Sequence, residues 1–307
     1  MKGTIFTVCI IALIGAIMVV MPAAGFEPGE CDIYVYSGQS IDAAVDSASD
    51  GQTVCVYNGT YSGVISVNTP NITLKGEGAD VVTYQDDTFY IIFGDTGTPS
   101  GCIIEGFKIV NTYMGICVMT TAPDCIIRNC VFEGLSSFIS IGASNTTFEN
   151  NVVRNSTMDC AVKLFAGAST TTIANNIIEG TTHATYGDGL VLHAPSNCRV
   201  INNSIKNNDG QGIALVFSPT SIDIEKNNIL SNDGGIFLYN GGDGHKIYLN
   251  NIVDNPTSVI YVGTPPTTIS WNSTEEIEYV YSGSSYTNYL GNYWSDYTGS
   301  DTTPHDG

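Results

Sequence analysis

An all-β, right-handed parallel β-helix is the fold this sequence predicts, on three observations. A doublet position, usually Asn-Asn, recurs about every two dozen residues, an alternating apolar block lies between doublets, and no intervening stretch has room or period for a crossover helix. The doublets sit in similar frames, IIRNCVF, FENNVV, IANNII, VINNSI, IEKNNIL and YLNNIV. Their first positions, 129, 150, 175, 202, 227 and 250, are 21, 25, 27, 25 and 23 residues apart. Solenoids repeat on that scale, each unit being too small to bury a core alone.

The second block reads GICVM, FISIG, AVKLF, GLVLH, GIALV and GIFLY. Its period of two means strand. Ile116, Ile139, Val162, Leu190, Ile213 and Ile236 share one place in it, so they are expected to stack in a column inside the solenoid. Ile141, Leu164, Leu192, Leu215 and Leu238 form a second column. Asparagine suits the corners, because it tolerates the left-handed backbone region and its amide can bond the same residue one coil away, at the inter-strand spacing of about 4.8 Å.

Taken in order, the chain opens with Lys2 and an uncharged stretch whose apolar core runs from Ile5 to Met21. This is the layout of a secretory signal over residues 1–25, with Ala23 and Gly25 as the small residues for cleavage. An uncleaved anchor, the chain's one expected contact with a membrane, is the alternative. Residues 26–60 read as an N-terminal cap and first strands. There Ser40 caps a short helix with Ile41, Ala44, Val45 and Ala48 on one face, placed to plug the open end of the stack. Residues 61–270 form the coils, about nine at two dozen residues each. Residues 271–307 form a C-terminal cap, in which Tyr289, Tyr293, Trp294 and Tyr297 of YLGNYWSDY cover the last coil before a polar tail.

Thirty acidic against ten basic side chains give a net charge of −20. That charge repels nucleic-acid phosphates, so a nucleic-acid partner is not expected. Without Cys9 eight cysteines remain, an even set that outside the cell suggests disulfides. Cys102 and Cys125 occupy the same place in consecutive coils, and Cys31 and Cys55 flank the cap helix, which makes both pairs candidates. No cysteine lies in a CxxC pair and the histidines are scattered, so no metal centre is read from them. Sequons at Asn58, Asn71, Asn145, Asn155 and Asn272 suit a glycosylated surface protein. A further one at Asn202 is expected to be blocked by burial in the ladder.

Asp159, Asp188, Asp209 and Asp233 precede the block strands of successive coils. Paired carboxylates there are what glycoside cleavage needs, one as acid and one as base or nucleophile, with His193 or Lys163 assisting. They are equally the oxygen ligands calcium takes, or plain turn formers. Lys163, Phe165, His193, Phe237 and Tyr239 fall on the outward side of the same strands, where aromatic faces would line a shallow groove suited to sugar rings. His245, beside Asp243 in GGDGHK, is a further acid or base by residue type.

The combination of SIDAAVDSASDGQTVCVYNGTY, the Asn-rich coils and NYLGNYWSDYTGSD closely resembles the NosD-like β-helix proteins of archaeal and bacterial exteriors. The resemblance covers nearly the whole chain after the signal and looks closest to the archaeal, surface-exposed branch. It implies a pectin-lyase-like β-helix and a secreted or cell-surface address. Copper handling belongs to the family's nitrous oxide reductase maturation member, and no clustered His, Met or Cys motif here carries it over. The expectation is a structural or carbohydrate-contacting module of the envelope, partnered by an extracellular polysaccharide or envelope proteins. A polysaccharide lyase or glycoside hydrolase is the alternative.

Overall fold

In a computed structural model, the described residues are 25–80, 82–85, 91–281 and 283–296. The predicted signal segment lies outside them but for Gly25, as do Tyr297 and the polar tail. Among the described residues three parallel sheets of eleven, ten and nine strands run the length of a right-handed β-helix. Each coil passes through a strand of the first sheet, then the second, then the third, as in Ile126–Arg128, Val131–Glu133 and Ile139–Ile141. The ten strands of the second sheet make the stack one coil longer than the sequence period suggests.

Stacking is in register, so each apolar residue sits on its counterpart. In the third sheet Ile139 pairs with Val162, Val162 with Leu190, Leu190 with Ile213 and Ile213 with Ile236. All are fully buried, as are Ile141, Leu164, Leu192 and Leu215. The two predicted columns are therefore the third sheet's inner wall, burying apolar surface that one coil alone would leave wet.

Tight corners require left-handed backbone, and the corner between the first and second sheets is a column of such residues: Asn129, Asn150, Asn175, Asn202, Lys226 and Leu249, with φ of 54 to 57°. The following residue points inward. Asn151, Asn176, Asn203, Asn227 and Asn250 are buried, and each Oδ1 accepts the backbone N–H of its counterpart one coil earlier at 2.9 to 3.0 Å. Each Nδ2 donates to a first-sheet carbonyl of the previous coil, as Asn176 does to Phe148 O at 2.9 Å. This corrects the frame of the repeat. The ladder uses the second asparagine of the earlier doublets but the first of Asn227-Asn228 and Asn250-Asn251. Asn202, expected to be buried, is instead the half-buried corner residue beside buried Asn203.

A second ladder joins Asn208, Asn232 and Asn255 at the next corner, where each backbone N–H again donates to the following side chain at 2.9 to 3.2 Å. Only Asn207-Asn208 marks it with a doublet in the sequence, because its later corner residues are Ser231 and Asp254.

Helix Ile41–Ser47 starts at Ser40, whose side chain accepts the Ala43 N–H at 3.1 Å. It buries Ile41 and Val45, and Asp42 accepts the Ser66 N–H at 2.9 Å, covering the edge strand Ile65–Val67 of the third sheet. At the other end the strand Tyr293–Trp294 extends the second sheet, and Asn292 continues the ladder above Asn250. Trp294 packs edge-on against Trp271 at 5.6 Å.

Cys31 and Cys55 form a disulfide. Cys102 and Cys125 are stacked but are free, buried thiols, so the second predicted bridge is not formed. In-register residues of parallel strands project their side chains in the same direction, and these S–H groups turn to backbone carbonyls of Thr69 and Pro123 instead.

Candidate functional site

The outer face of the third sheet carries the chemistry expected of this chain. Its alternation slips at Gly189, Gly212 and Gly235, which point inward. A Cβ there would come within 2.5 to 2.8 Å of the Ile205, Ile229 and Ile252 side chains, so glycine is required. The slip turns Asp188 and Gln211, in register with Cys160, to the outside with Val191 and Ala214.

Along this face runs a continuous row of rings. Phe138 lies 6.1 Å from Phe165, Phe165 6.0 Å from His193, His193 4.6 Å from Phe217, and Phe217 5.5 Å from Tyr239, which stacks on Phe237 at 6.4 Å. Phe217 is 54% exposed and has a φ of +60°, a conformation that costs a side chain about 1 to 2 kcal/mol. Its counterpart one coil later, Asn240, is a residue suited to that region. The strain holds Phe217 between His193 and Tyr239 with its ring open to solvent.

Beside the row is a polar cluster. Lys163 Nζ lies 3.6 Å from Asp159 and above the rings of Phe138 and Phe165, at 5.1 and 5.6 Å. Asp188 is half-buried and accepts the Gln211 N–H at 2.7 Å. Burial pushes its carboxyl up to about 6, the Asp159 charge adds to the rise, and the Gln211 N–H and Lys163 oppose it. Burial, with Asp159 next, drives the Cys160 thiol well above its ordinary range, so it is not a thiolate.

The structure thus gathers Lys163, His193, Phe237, Tyr239 and Asp188 on one face. Asp209 and Asp233 are exposed in the turns before their strands. Coil lengths differ by one residue there, so Asp233 is level with Gly210, and Asp188 shares its column with Gln211 and Gly234 rather than with another aspartate. The sequon residues Asn58, Asn71, Asn145, Asn155 and Asn272 are exposed. His245 lies apart and buried, with Nδ1 accepting the Ile222 N–H and Nε2 against Gly241 O. Phe217 escapes the sequence reading because it follows the end of its alternating block, and Phe138 because it stands at the first position of FISIG, where the other blocks carry Gly or Ala. The one available signal was a Phe following the GIALV block where the next coil has Asn240.

Solved structures share this fold. An alginate lyase from Paenibacillus sp. matches with a TM-score of 0.55 at 12% identity, over 78% of this chain and 98% of that one. The Azotobacter vinelandii mannuronan C-5 epimerase AlgE6 A-module matches with a TM-score of 0.54 at 19% identity, over 72% and 74%. Geobacillus virus E2 ORF18 matches with a TM-score of 0.54 at 15% identity, over 80% and 60%. Such identities carry the fold alone. No curated protein matches the sequence.

The family model described as periplasmic copper-binding protein (NosD) matches residues 45–164 and 159–299. The donors here do not fit a copper centre: among the described residues no three His, Cys, Asp or Glu side chains converge. The thiols of Cys102, Cys130 and Cys198 point at core carbonyls, and Cys117 has one sulfur neighbour, Met119 at 3.6 Å. The two matches together span most of the chain from the cap helix to the last coil, and on that ground the protein belongs to the NosD family of parallel β-helix proteins.

Proposed function

We propose that this protein is an exported, noncatalytic β-helix of the cell envelope whose third-sheet outer face contacts carbohydrate. The observation that carries the reading is the aromatic row, which crosses five coils and includes an exposed, strained Phe217. The corner imposes left-handed backbone on Phe217 as it does on its counterparts Ala194 and Asn240, but a large apolar ring left open to solvent there, in line with four others, is what a ligand-contacting surface presents. Membership of a family described as periplasmic supports the address, and exposed sequons suit it. Solved structures of this fold include an enzyme named for cleaving alginate and one for epimerising mannuronan.

A second reading, a polysaccharide lyase or glycoside hydrolase, is favoured by the raised carboxyl of Asp188 beside Asp159 and Lys163. A group titrating near 6 is poised to give and take a proton. The two readings separate on turnover. Reducing-end and unsaturated-product assays over neutral and acidic polysaccharides, with calcium present, are expected to show none. Product formation lost in Asp188→Asn would replace the first reading with the second.

A further inference from the structure

The charge around the aromatic row specifies which carbohydrate. We infer that the ligand of this face is a neutral polysaccharide, its chain lying parallel to the solenoid axis with about one sugar ring per coil; the inference rests on the carbohydrate-contact reading above. Among the described residues every Lys and Arg except Lys246 stands within 3.7 Å of a carboxylate. Lys246 belongs to the first sheet, away from the row. The cation nearest the rings, Lys163, is held by Asp159 and covers Phe138 and Phe165. An acidic polymer would find no unpaired positive group here to take its carboxylates.

It would also meet opposing charge. Asp159 and Asp188 flank the row, and Asp209 and Asp233 stand exposed in the turns at the same edge of the sheet. Carboxylates accept hydrogen bonds from sugar hydroxyls but repel uronates and sulfate esters. Successive rings are 4.6 to 6.1 Å apart from Phe138 to Phe217, close to the strand spacing of about 4.8 Å that separates coils. An extended chain of six-membered rings advances by a similar step, so it can place a ring face over each aromatic in turn. The row ends at Tyr239 and Phe237, which limits the footprint to about four or five sugars at one per inter-strand step.

Affinity electrophoresis of the full chain through galactomannan, mixed-linkage glucan, alginate and polygalacturonate, each with EDTA and with calcium, tests this. Retardation by a neutral polymer is expected under both conditions, with migration through alginate and polygalacturonate unchanged. Titration with neutral oligosaccharides should show affinity rising up to four or five units and then levelling, and Phe217→Ala should weaken it about tenfold. Retardation by alginate or polygalacturonate alone, with or without calcium, would overturn the neutral class while leaving carbohydrate contact standing. No retardation in any polymer would remove both. Neutral binding unaffected by Phe217→Ala would overturn the assignment to this row.

Discussion

Asn203 Oδ1 accepts both the backbone N–H of Asn176, at 3.0 Å, and its Nδ2, at 2.9 Å. One buried side-chain oxygen therefore satisfies two buried donors from a residue 27 positions away, and the Asn203 amide returns a bond to Ile173 O. Such an arrangement is expensive to break. Asn203→Ala leaves those donors without an acceptor and should cost about 3 kcal/mol or more in chemical denaturation. Asn202→Gly, one position away at a corner with φ +56°, should change stability by less than about 1 kcal/mol. Equal effects would refute the assignment of ladder and corner roles.

Phe217 should lower stability while supporting binding. Replacing it with Asn, the residue at the equivalent corner of the next coil, relieves left-handed strain and is expected to stabilise the fold by about 1 kcal/mol. The same change removes the exposed ring from between His193 and Tyr239. A higher melting temperature together with lost polysaccharide retardation is the expected pair of results.

Asp188 sets a pH dependence. Its folded-state value of about 6 lies above the ordinary 3.8, so between these the native state keeps a proton the unfolded chain has released. Its contribution is therefore full below about pH 3.8 and is lost as pH rises through about 6. Asp188→Asn keeps an oxygen for the Gln211 N–H and removes this loss. It should stabilise the protein at pH 7.5 by about 2 to 3 kcal/mol and leave it little changed at pH 4. Denaturation midpoints at both pH values check this.

Reducing the Cys31–Cys55 bridge frees the N-terminal strand from the first coil across a separation of 24 residues. The expected loss is about 3 kcal/mol, felt by the N-terminal coils. Hydrogen exchange with and without reductant should show new exchange over residues 33–67 and an unchanged centre.

Much of this molecule is legible in its sequence, and the limits have physical causes. Leu190 and Ile213 could be stacked in advance because burial makes their positions obligatory. The frame of the asparagines could not be fixed, because the letters of Asn202-Asn203 and Asn227-Asn228 look alike while the corner falls on Asn202 in one coil and on Lys226 in the next. The sheet's ordered core pins Lys226 in a left-handed conformation that its side chain does not itself prefer. Lys163, His193, Phe237 and Tyr239 were found because alternation assigns a face. Asp188 was placed with Asp209 and Asp233 by spacing alone, and a one-residue difference in coil length separates them in space. Phe217 belongs to no pattern, since it occupies a corner that its side chain resists.

Asn250 reaches across 42 residues to Asn292, whereas the other steps of its ladder span 21 to 27. The extra length includes the antiparallel hairpin of Ile277–Tyr281 and Ser284–Asn288, which joins none of the three long sheets. Closure of a turn in this scaffold thus depends on where its amide lands and little on how much chain intervenes. Evolution can hang appendages from such a frame, or an engineer can splice in a reporter, without renegotiating the geometry of the stack beneath.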